Sequence, residues 1–484
     1  MGTITTLQAD VAIIGAGTAG MGANAAARHA GKHVVLINGG PWGTTCARVG
    51  CMPSKLLIAA ADAAHALRTS APFGVHAGAV TIDGVAVMRR VRAERDRFVA
   101  LVLEGLADMP LADRVSGHAR FTGPNELLVD DHTRISATSI VIATGSAATV
   151  PDDWKKAGPR VIVSDAVFDW TDLPASVAVV GSGIIGLELG QALHRLGVRV
   201  TIFGRGTSLA QLTDPDVLDS ATKVLGAELD LRMEHDIVAL AEHDSGASVL
   251  VASRDADGVE HEAVFDYVLV ATGRSPNVAG LGLEHAGLAL DEHGVPLYDS
   301  TTQRCGDSAV FIAGDADDER PLLPVAAEQG RTAGDNAARY PDVRPAVRSI
   351  PLAVVFCDPQ IASAGASFKQ LQKSHAGRLA IGAVSFADQG RSRVMLQNHG
   401  VLRLYAELGT GRFLGAEMFG PRAEHIGHLL AWACQAKLTV AAMLEMPFYH
   451  PVVEEGVRTA LRELAHHLSK HPETPACTDC TPGI

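Results

Sequence analysis

Two cysteines, Cys46 and Cys51, are separated by four residues, and a helix-start signal follows them directly. Pro53 has its φ preset for the first turn of a helix, and good helix formers follow it. The unpaired N–H groups and the positive dipole end of such a helix favour a thiolate and lower the pKa of a cysteine beside them. The pair therefore predicts either redox chemistry or two buried structural cysteines, and the spacing alone does not separate these hypotheses.

The composition narrows the class of protein. With 484 residues, of which 47% are hydrophobic, the chain is long enough for about three domains. Its formal charge of −13 argues against nucleic acid or an anionic membrane as a partner. No apolar run has the length of a membrane span, and the first ten residues lack signal-peptide features, so we expect a cytoplasmic protein. Seven cysteines are too few for a disulfide scaffold, so a close pair in a reducing compartment indicates redox or metal chemistry.

A glycine-rich turn follows the first apolar strand. Residues 10–14 lead into Gly15, Gly17 and Gly20, and a helix over 21–29 and a strand over 34–37 come next. This context predicts a nucleotide-binding βαβ unit with a pyrophosphate against the helix N-terminus. Asn38 stands where a carboxylate would hold a ribose hydroxyl, and its amide can still form that hydrogen bond.

The same design repeats later in the chain. A strand over 177–180 precedes Gly181, Gly183 and Gly186, which are followed by a predicted helix over 187–196 and a strand over 198–203. Two nucleotide-binding units suit one cofactor that stays bound and one that exchanges, such as a flavin and a nicotinamide. Gly204 takes the position of the ribose-binding acid, and Arg205 follows it. A missing acid beside an arginine favours NADPH over NADH, unless Arg205 is a solvated loop charge.

Two further stretches carry polar residues at ends of elements. A strand over 310–313 ends in Gly314 and Asp315, where an acid can bond cofactor hydroxyls. From about residue 350 the pattern changes to that of a separate α+β domain, whose last helix we expect near Val452. Just before it, His450 precedes Glu455 by five residues, a spacing that predicts a base oriented by a carboxylate. A capping or packing role is the alternative for this histidine.

Together these motifs resemble the pyridine nucleotide-disulfide oxidoreductases, a family that includes dihydrolipoamide dehydrogenase, glutathione reductase and mercuric reductase. The resemblance covers about residues 9–468, with the motifs in the family's order. It implies an α/β fold with two Rossmann-like domains, for FAD and NAD(P), and a C-terminal α+β dimerisation domain. The implied boundaries are 1–149 and 277–348 for the two parts of the FAD domain, 150–276 for the NAD(P) domain, 349–468 for the dimerisation domain and 469–484 for a tail.

The resemblance also implies roles for individual residues. Cys51 would lie beside the flavin, Cys46 would exchange with substrate, and His450, oriented by Glu455, would be the acid/base that reaches the cysteines from the partner in a homodimer. Lys55 and Glu188 match the family's ion pair near the flavin and the nicotinamide. The implied FAD-binding residues are Gly15, Gly17, Gly20, Asn38, Lys55, Thr144, Gly145 and Asp315, and the implied NAD(P)-binding residues are Gly181, Gly183, Gly186, Arg205, Gly273 and Arg274. We expect no metal cofactor.

The substrate is the open question. Ile184 resembles the aliphatic residue of lipoamide dehydrogenases at a position where glutathione reductases usually carry Tyr, which favours a small dithiol/disulfide substrate or a lipoyl domain. A C-terminal pair, Cys477 and Cys480, suggests an alternative: a reductase of another disulfide or of mercuric ion that uses this pair as a relay. The tail could also bind a metal through His466, His467 or His471, or be inert. A second alternative is a nucleotide-binding redox-sensing or assembly subunit without turnover.

Overall fold

The computed structural model describes residues 4–470. The first part of the chain forms a sheet around the first glycine turn. Its central strands contain apolar, buried runs at residues 11–14, 34–37 and 140–142, as expected for a parallel sheet covered on both faces. The order is β3-β2-β1-β6, and β5 and β4 continue it in antiparallel fashion. The elements of this part are β1 Thr5–Ile14, α1 Thr18–His29, β2 Val34–Asn38, α2 Thr45–Val49, α3 Cys51–Arg68, α4 Gly84–Glu104, β3 Arg114–Ser116, β4 Ala119–Gly123, β5 Glu126–Val129 and β6 Thr133–Ile142.

The second glycine turn organises a five-stranded parallel sheet of order β11-β10-β9-β15-β8. A three-stranded antiparallel sheet, β12-β13-β14, is inserted before its strand β15, and β7 pairs with β16 as a two-stranded ribbon. The elements are β7 Ser146–Ala148, α5 Asp152–Lys155, β8 Val161–Val163, α6 Ser164–Val167, β9 Ser176–Val180, α7 Ile184–Arg195, β10 Arg199–Gly204, α8 Pro215–Glu228, β11 Asp230–Met233, β12 Asp236–His243, β13 Ser248–Arg254, β14 Glu260–Phe265, β15 Tyr267–Val270 and β16 Arg274–Pro276.

The last part first returns to the opening sheet and then forms a new one. Strand β17 pairs in parallel with β6, so the chain re-enters the first sheet after completing the second. The C-terminal sheet is antiparallel, in the order β18-β19-β22-β21-β20, and helices α12 and α14 pack against it. The elements are β17 Val310–Ile312, α9 Leu323–Arg339, β18 Leu352–Val355, β19 Gln360–Gly365, α10 Phe368–Ser374, β20 Leu379–Ser385, α11 Gly390–Val394, β21 Val401–Glu407, β22 Phe413–Gly420, α12 Ala423–Gln435, α13 Val440–Leu444 and α14 Glu455–Ser469.

The two glycine turns are structurally equivalent, which confirms the internal repeat predicted from the sequence. A Cβ atom at Gly20 would lie 1.8 Å from the carbonyl oxygen of Gly15, and one at Gly186 would lie 2.0 Å from that of Gly181. No side chain fits there, because each helix starts in direct contact with its own turn.

One helix boundary differs from the sequence prediction, and a side-chain cap sets another. Helix α3 begins at Cys51, not at Pro53, so Cys51 occupies its first position. Helix α4 begins at Gly84 because the side chain of Asp83 caps it by accepting the N–H of Ala86 at 2.9 Å. Within residues 4–470, no helix combines the length and the apolar character that a membrane span requires.

Packing between α3 and α7 brings the cysteines close to the second nucleotide-binding unit. Leu57 of α3 and Leu187 of α7 belong to one buried cluster, which also contains Val355 of β18 and Cys357. The cysteine helix, the helix after the second glycine turn and the start of the C-terminal sheet therefore share a hydrophobic core.

Candidate active site

The two thiols lie at the junction of two helices. Helix α2 starts after Thr44, whose hydroxyl accepts the N–H of Ala47 at 3.2 Å, and it carries Cys46. Gly50 then turns the chain so that Cys51 starts α3. The side chains of Cys46 and Cys51 are within hydrogen-bonding reach of each other, as a reversible disulfide requires. This placement favours the redox interpretation of the pair over the structural one.

The protein makes the two thiols electrostatically unequal. The pKa of Cys51 is lowered to about 7, mainly by the hydrogen bond from the Cys46 thiol and also by the charge of Lys55, against the opposing effect of burial. The pKa of Cys46 is raised, because this thiol donates to Cys51 and is half-buried. The reduced pair therefore loses its first proton from Cys51 and keeps the second on Cys46.

An ion pair joins the cysteine helix to the helix of the second nucleotide-binding unit. Lys55 Nζ lies 2.6 Å from Glu188 Oε2, and the Glu188 side chain is only 6% exposed. The other oxygen of Glu188 accepts the backbone N–H of Phe356 at 2.9 Å, and the Lys55 ammonium lies 4.5 Å from the centre of the Phe356 ring. The contact of Phe356 could not be predicted from the sequence, since any residue in a loop has a backbone N–H that can donate a hydrogen bond.

The predicted base and its carboxylate are in contact. His450 Nδ1 lies 3.0 and 3.1 Å from the two carboxylate oxygens of Glu455, which also accepts the N–H of Val452 at 3.2 Å. The hydrogen bond from His450 is the main cause that lowers the pKa of Glu455, so the carboxylate is charged and fixes the imidazole.

His450 nevertheless faces away from the chain's own core. Its side chain is 80% exposed, and across residues 4–470 no hydrogen bond or ion pair connects it to Cys46 or Cys51. Exposed apolar side chains occur on the same C-terminal domain, with Tyr449 at 80% and Trp432 at 66% exposure. An exposed His–Glu pair in a domain with exposed apolar side chains is the arrangement expected where a second subunit binds.

The first nucleotide site fits FAD. A Cβ atom at Gly17 would meet nothing within 4 Å, so the turn leaves room for a pyrophosphate. The hydroxyl of Thr144 is buried and has no hydrogen-bond partner within residues 4–470, which suits a polar ligand. Asp315 accepts from the hydroxyl of Ser146 at 2.8 Å and keeps oxygens for a cofactor hydroxyl. Gly145 has a φ of +69°, which favours glycine at that turn.

Asn38 has a structural task at the ribose position. Its side-chain oxygen accepts the N–H of Ala16 at 3.2 Å, and its amide nitrogen donates to the carbonyl oxygens of Gly40 and Pro41 at 2.8 and 3.2 Å. The amide therefore braces the glycine turn against the loop that leads to the cysteines. Its oxygen retains one lone pair, so the predicted ribose hydrogen bond stays a prediction.

The second nucleotide site has an open turn and no room for the usual acid. A Cβ atom at Gly183 would meet nothing within 4 Å, whereas one at Gly204 would lie 2.8 Å from Ser182 Oγ and 3.0 Å from Met233 Sδ. An acidic side chain at 204 would require these neighbours to move. Arg205, the next residue, is exposed at the carboxyl end of β10.

The Arg274 side chain forms its hydrogen bonds with a residue near the first nucleotide site. Its guanidinium donates to the hydroxyl and the carbonyl oxygen of Ser146 at 2.8 and 2.6 Å, and Ser146 in turn donates to Asp315. The guanidinium therefore supports the first site from within the β7–β16 ribbon. Gly273, with a φ of +121°, lies directly before β16, and the predicted contacts of both residues with NAD(P) stay predictions.

The sequence predictions for the tail fall largely outside the described residues. Cys477, Cys480 and His471 lie beyond residue 470. His466 and His467 are on α14, and His467 Nδ1 lies 2.6 Å from the carbonyl oxygen of Ile381.

Most of the chain matches one protein family. The family description "Pyridine nucleotide-disulphide oxidoreductase" matches residues 9–330, and the family's dimerisation domain matches residues 351–461. The chain belongs to the pyridine nucleotide-disulphide oxidoreductases. Family membership supports FAD and a pyridine nucleotide as cofactors, and the dimerisation domain supports a homodimer.

Relatives within this family have different substrates in their names. A mercuric reductase of Acidithiobacillus ferrooxidans is 31% identical over 482 residues, covering 95% of this chain and 83% of that protein. A mycothione reductase of Mycobacterium tuberculosis is 30% identical and covers 93% and 98%. A dihydrolipoyl dehydrogenase of Geobacillus stearothermophilus is 30% identical and covers 96% and 98%. The reaction class is therefore that of a flavoprotein disulfide oxidoreductase, whichever sulfur substrate it uses.

A solved structure has the same fold. The Cu(II) complex of the HOCl-induced flavoprotein disulfide reductase RclA from Escherichia coli superposes with a TM-score of 0.80 at 23% identity, covering 96% of this chain and 99% of that one. At this identity the likeness establishes the architecture alone. The predicted fold class, two nucleotide-binding units and a C-terminal dimerisation domain, is confirmed.

The ion pair predicts two opposite shifts in the titration of Cys51. Lys55→Met removes the nearby positive charge and should raise the pKa of Cys51 above about 7, whereas Glu188→Gln removes a negative charge and should lower it. The measurement is the pH dependence of iodoacetamide labelling of Cys51 in the reduced protein, read by mass spectrometry. Lys55→Arg keeps the charge and is the matched control. Shifts of the same sign in Lys55→Met and Glu188→Gln would contradict this assignment.

Proposed function

We propose that the chain is an FAD-dependent disulfide oxidoreductase of the dihydrolipoamide dehydrogenase type, an enzyme that acts on a sulfur group and moves electrons between NAD(P)(H) and a small dithiol or disulfide. The observation that carries the proposal is the unequal thiol pair at the junction of α2 and α3, in which the pKa of Cys51 is lowered and that of Cys46 is raised. Bound FAD supplies a two-electron connection between this pair and the nicotinamide.

The thiol chemistry can be written for a dithiol substrate. A substrate thiolate attacks the sulfur of Cys46 in the oxidised pair, the Cys46–Cys51 bond breaks, and Cys51 leaves as a thiolate. The lowered pKa of Cys51 makes it the better leaving group of the two. The second substrate thiolate then attacks the substrate sulfur bound to Cys46, which releases a substrate disulfide and leaves both cysteines reduced. Two electrons have then passed from the substrate to the pair.

A base must accept the proton of each attacking thiol and the proton of Cys46 in the reverse direction. The raised pKa of Cys46 makes this assistance necessary, because only its thiolate attacks a disulfide. The partner subunit's His450, held by Glu455 and exposed at the dimerisation domain, is the group proposed for this role. Each active site is then composed of residues from two chains.

A second candidate function is reduction of another disulfide or of mercuric ion. The 31% identity with a mercuric reductase favours it, as does the C-terminal cysteine pair. In this alternative, Cys46 passes electrons to Cys477 and Cys480, and these act on the substrate. Ile184, an aliphatic residue at the start of α7, favours the first candidate.

A substrate panel separates the two candidates. We expect dihydrolipoamide to give a kcat/KM about tenfold or more above those for glutathione disulfide, thioredoxin and mercuric ion, since in the proposed function Cys46 exchanges directly with a small dithiol. The double variant Cys477→Ser with Cys480→Ser should then keep full turnover, and Cys46→Ser should lose it. Preference for mercuric ion or a bulky disulfide, with loss of turnover in the double variant, would establish the relay instead.

The nicotinamide preference is proposed to be for NADPH. Gly204 has no carboxylate that would repel a 2′-phosphate, and the packing of Ser182 and Met233 opposes an acidic side chain at this position. Arg205 offers a cation next to it. A single exposed arginine is a modest phosphate site, so the preference should be modest as well.

Arg205→Gln tests this specificity. The substitution should lower kcat/KM for NADPH by about tenfold and leave that for NADH unchanged, because only NADPH carries the 2′-phosphate. Arg254→Gln, an exposed arginine in the same unit that pairs with Glu260 at 2.6 Å, is the control. A wild-type enzyme that strongly prefers NADH would show that Arg205 is only a surface charge.

A further inference from the structure

We propose that His235, Asp255 and His261 form a binding site for a divalent transition-metal ion such as Zn²⁺. One ligand atom from each residue lies within 4.8 Å of the other two. Two imidazoles and one carboxylate are a donor set that Zn²⁺ and its neighbours bind well, with a fourth position left for water. None of the three residues belongs to the thiol pair or to either glycine turn.

Three local elements bring the ligands together. His235 lies between β11 and β12, Asp255 lies in the turn that joins β13 to β14, and His261 is the second residue of β14. In the antiparallel register His261 is opposite Ser253, close to the turn that holds Asp255. The rings of His235 and His261 are 5.9 Å apart, so both imidazoles face the same side of this sheet end.

The ligands have the supporting hydrogen bonds that orient metal-binding side chains. His235 Nδ1 lies 2.9 Å from the carbonyl oxygen of Met233, which fixes this ring and leaves Nε2 for an ion. One oxygen of Asp255 accepts the N–H groups of Asp257 and Val259 at 3.1 and 2.9 Å, which leaves the other oxygen for a ligand role.

His261 and Asp255 could form a simple surface ion pair, since their facing atoms are 2.8 Å apart. Such a pair does not explain why His235 lies beside them. His235 makes no hydrogen bond with either, yet its ring is adjacent to theirs. Ligand atoms around a tetrahedral Zn²⁺ are about 3.4 Å apart, so small rotations of three partly exposed side chains complete the geometry. The ion would connect the β13–β14 hairpin to the loop after β11.

The loop after β11 is attached to the second nucleotide-binding sheet, so an ion bound there would affect the stability of that unit. The backbone N–H of His235 donates to the carbonyl oxygen of Gly204 at 2.9 Å, so the loop is attached to the carboxyl end of β10. An ion that binds the folded sheet and not the unfolded chain stabilises the second nucleotide-binding unit by mass action. Binding should therefore raise the unfolding temperature.

The test uses the full-length, untagged, FAD-loaded protein in its oxidised form, in which the Cys46–Cys51 disulfide cannot bind metal. Zn²⁺ binding is measured by isothermal titration calorimetry, and thermal unfolding is measured with Zn²⁺ and with a chelator. The variants are His235→Gln, His261→Gln and Asp255→Asn. His243→Gln is the matched control, since His243 ends β12 in the same sheet and, within residues 4–470, its ring hydrogen-bonds only to Ser248.

We expect the wild type and His243→Gln to bind one more Zn²⁺ per chain than His235→Gln and His261→Gln, or to bind it about tenfold or more tightly. Zn²⁺ should raise the unfolding temperature of the first two proteins only. Equal unfolding temperatures in chelator show that the variants are folded, and Asp255→Asn gives an independent third variant. Zn²⁺ binding that is equal in all proteins, or no binding by the wild type, would overturn the proposal.

Discussion

The Lys55–Glu188 ion pair is the interaction on which the arrangement of this molecule depends. It joins the cysteine helix to the helix that follows the second glycine turn, and Glu188 also holds a backbone N–H of the C-terminal domain. The Glu188 side chain is buried, so removal of Lys55 would leave a buried carboxylate without its cation and weaken the contact between the three parts. The same ammonium contributes to the low pKa of Cys51. One contact therefore positions the cysteine helix and also contributes to the low pKa of Cys51.

Within residues 4–470, the site has no hydrogen bond from the thiols to a histidine of the same chain. Cys46 lies on α2 and Cys51 on α3, whereas His450 and Glu455 are held together on an exposed part of the dimerisation domain. Protonated Cys46 needs a base before it can attack a disulfide. In the proposed chemistry, the second subunit of the homodimer supplies that base, and the reaction then depends on assembly.

Much of the fold and of the site could be predicted from the sequence, because local patterns specify them. Glycines with helix and strand around them predicted both nucleotide-binding turns, and the short spacings predicted the cysteine pair and the contact of His450 with Glu455. The roles of Phe356 and Ser146 could not be predicted, since they arise from backbone and hydroxyl groups that only tertiary packing brings into place. The engagement of Arg274 with Ser146 also depends on the pairing of β7 with β16, which connects distant segments.

The central claim, an active site composed of residues from two chains, can be tested with a hybrid dimer. One subunit carries Cys46→Ser and the other carries His450→Gln, with different affinity tags to isolate the hybrid. In a shared-site dimer one of the two sites has both an intact cysteine pair and an intact base, so we expect about half of the wild-type turnover, while each variant homodimer is inactive. A hybrid as inactive as the two homodimers would show that Cys46 and His450 act within one chain and would contradict the account.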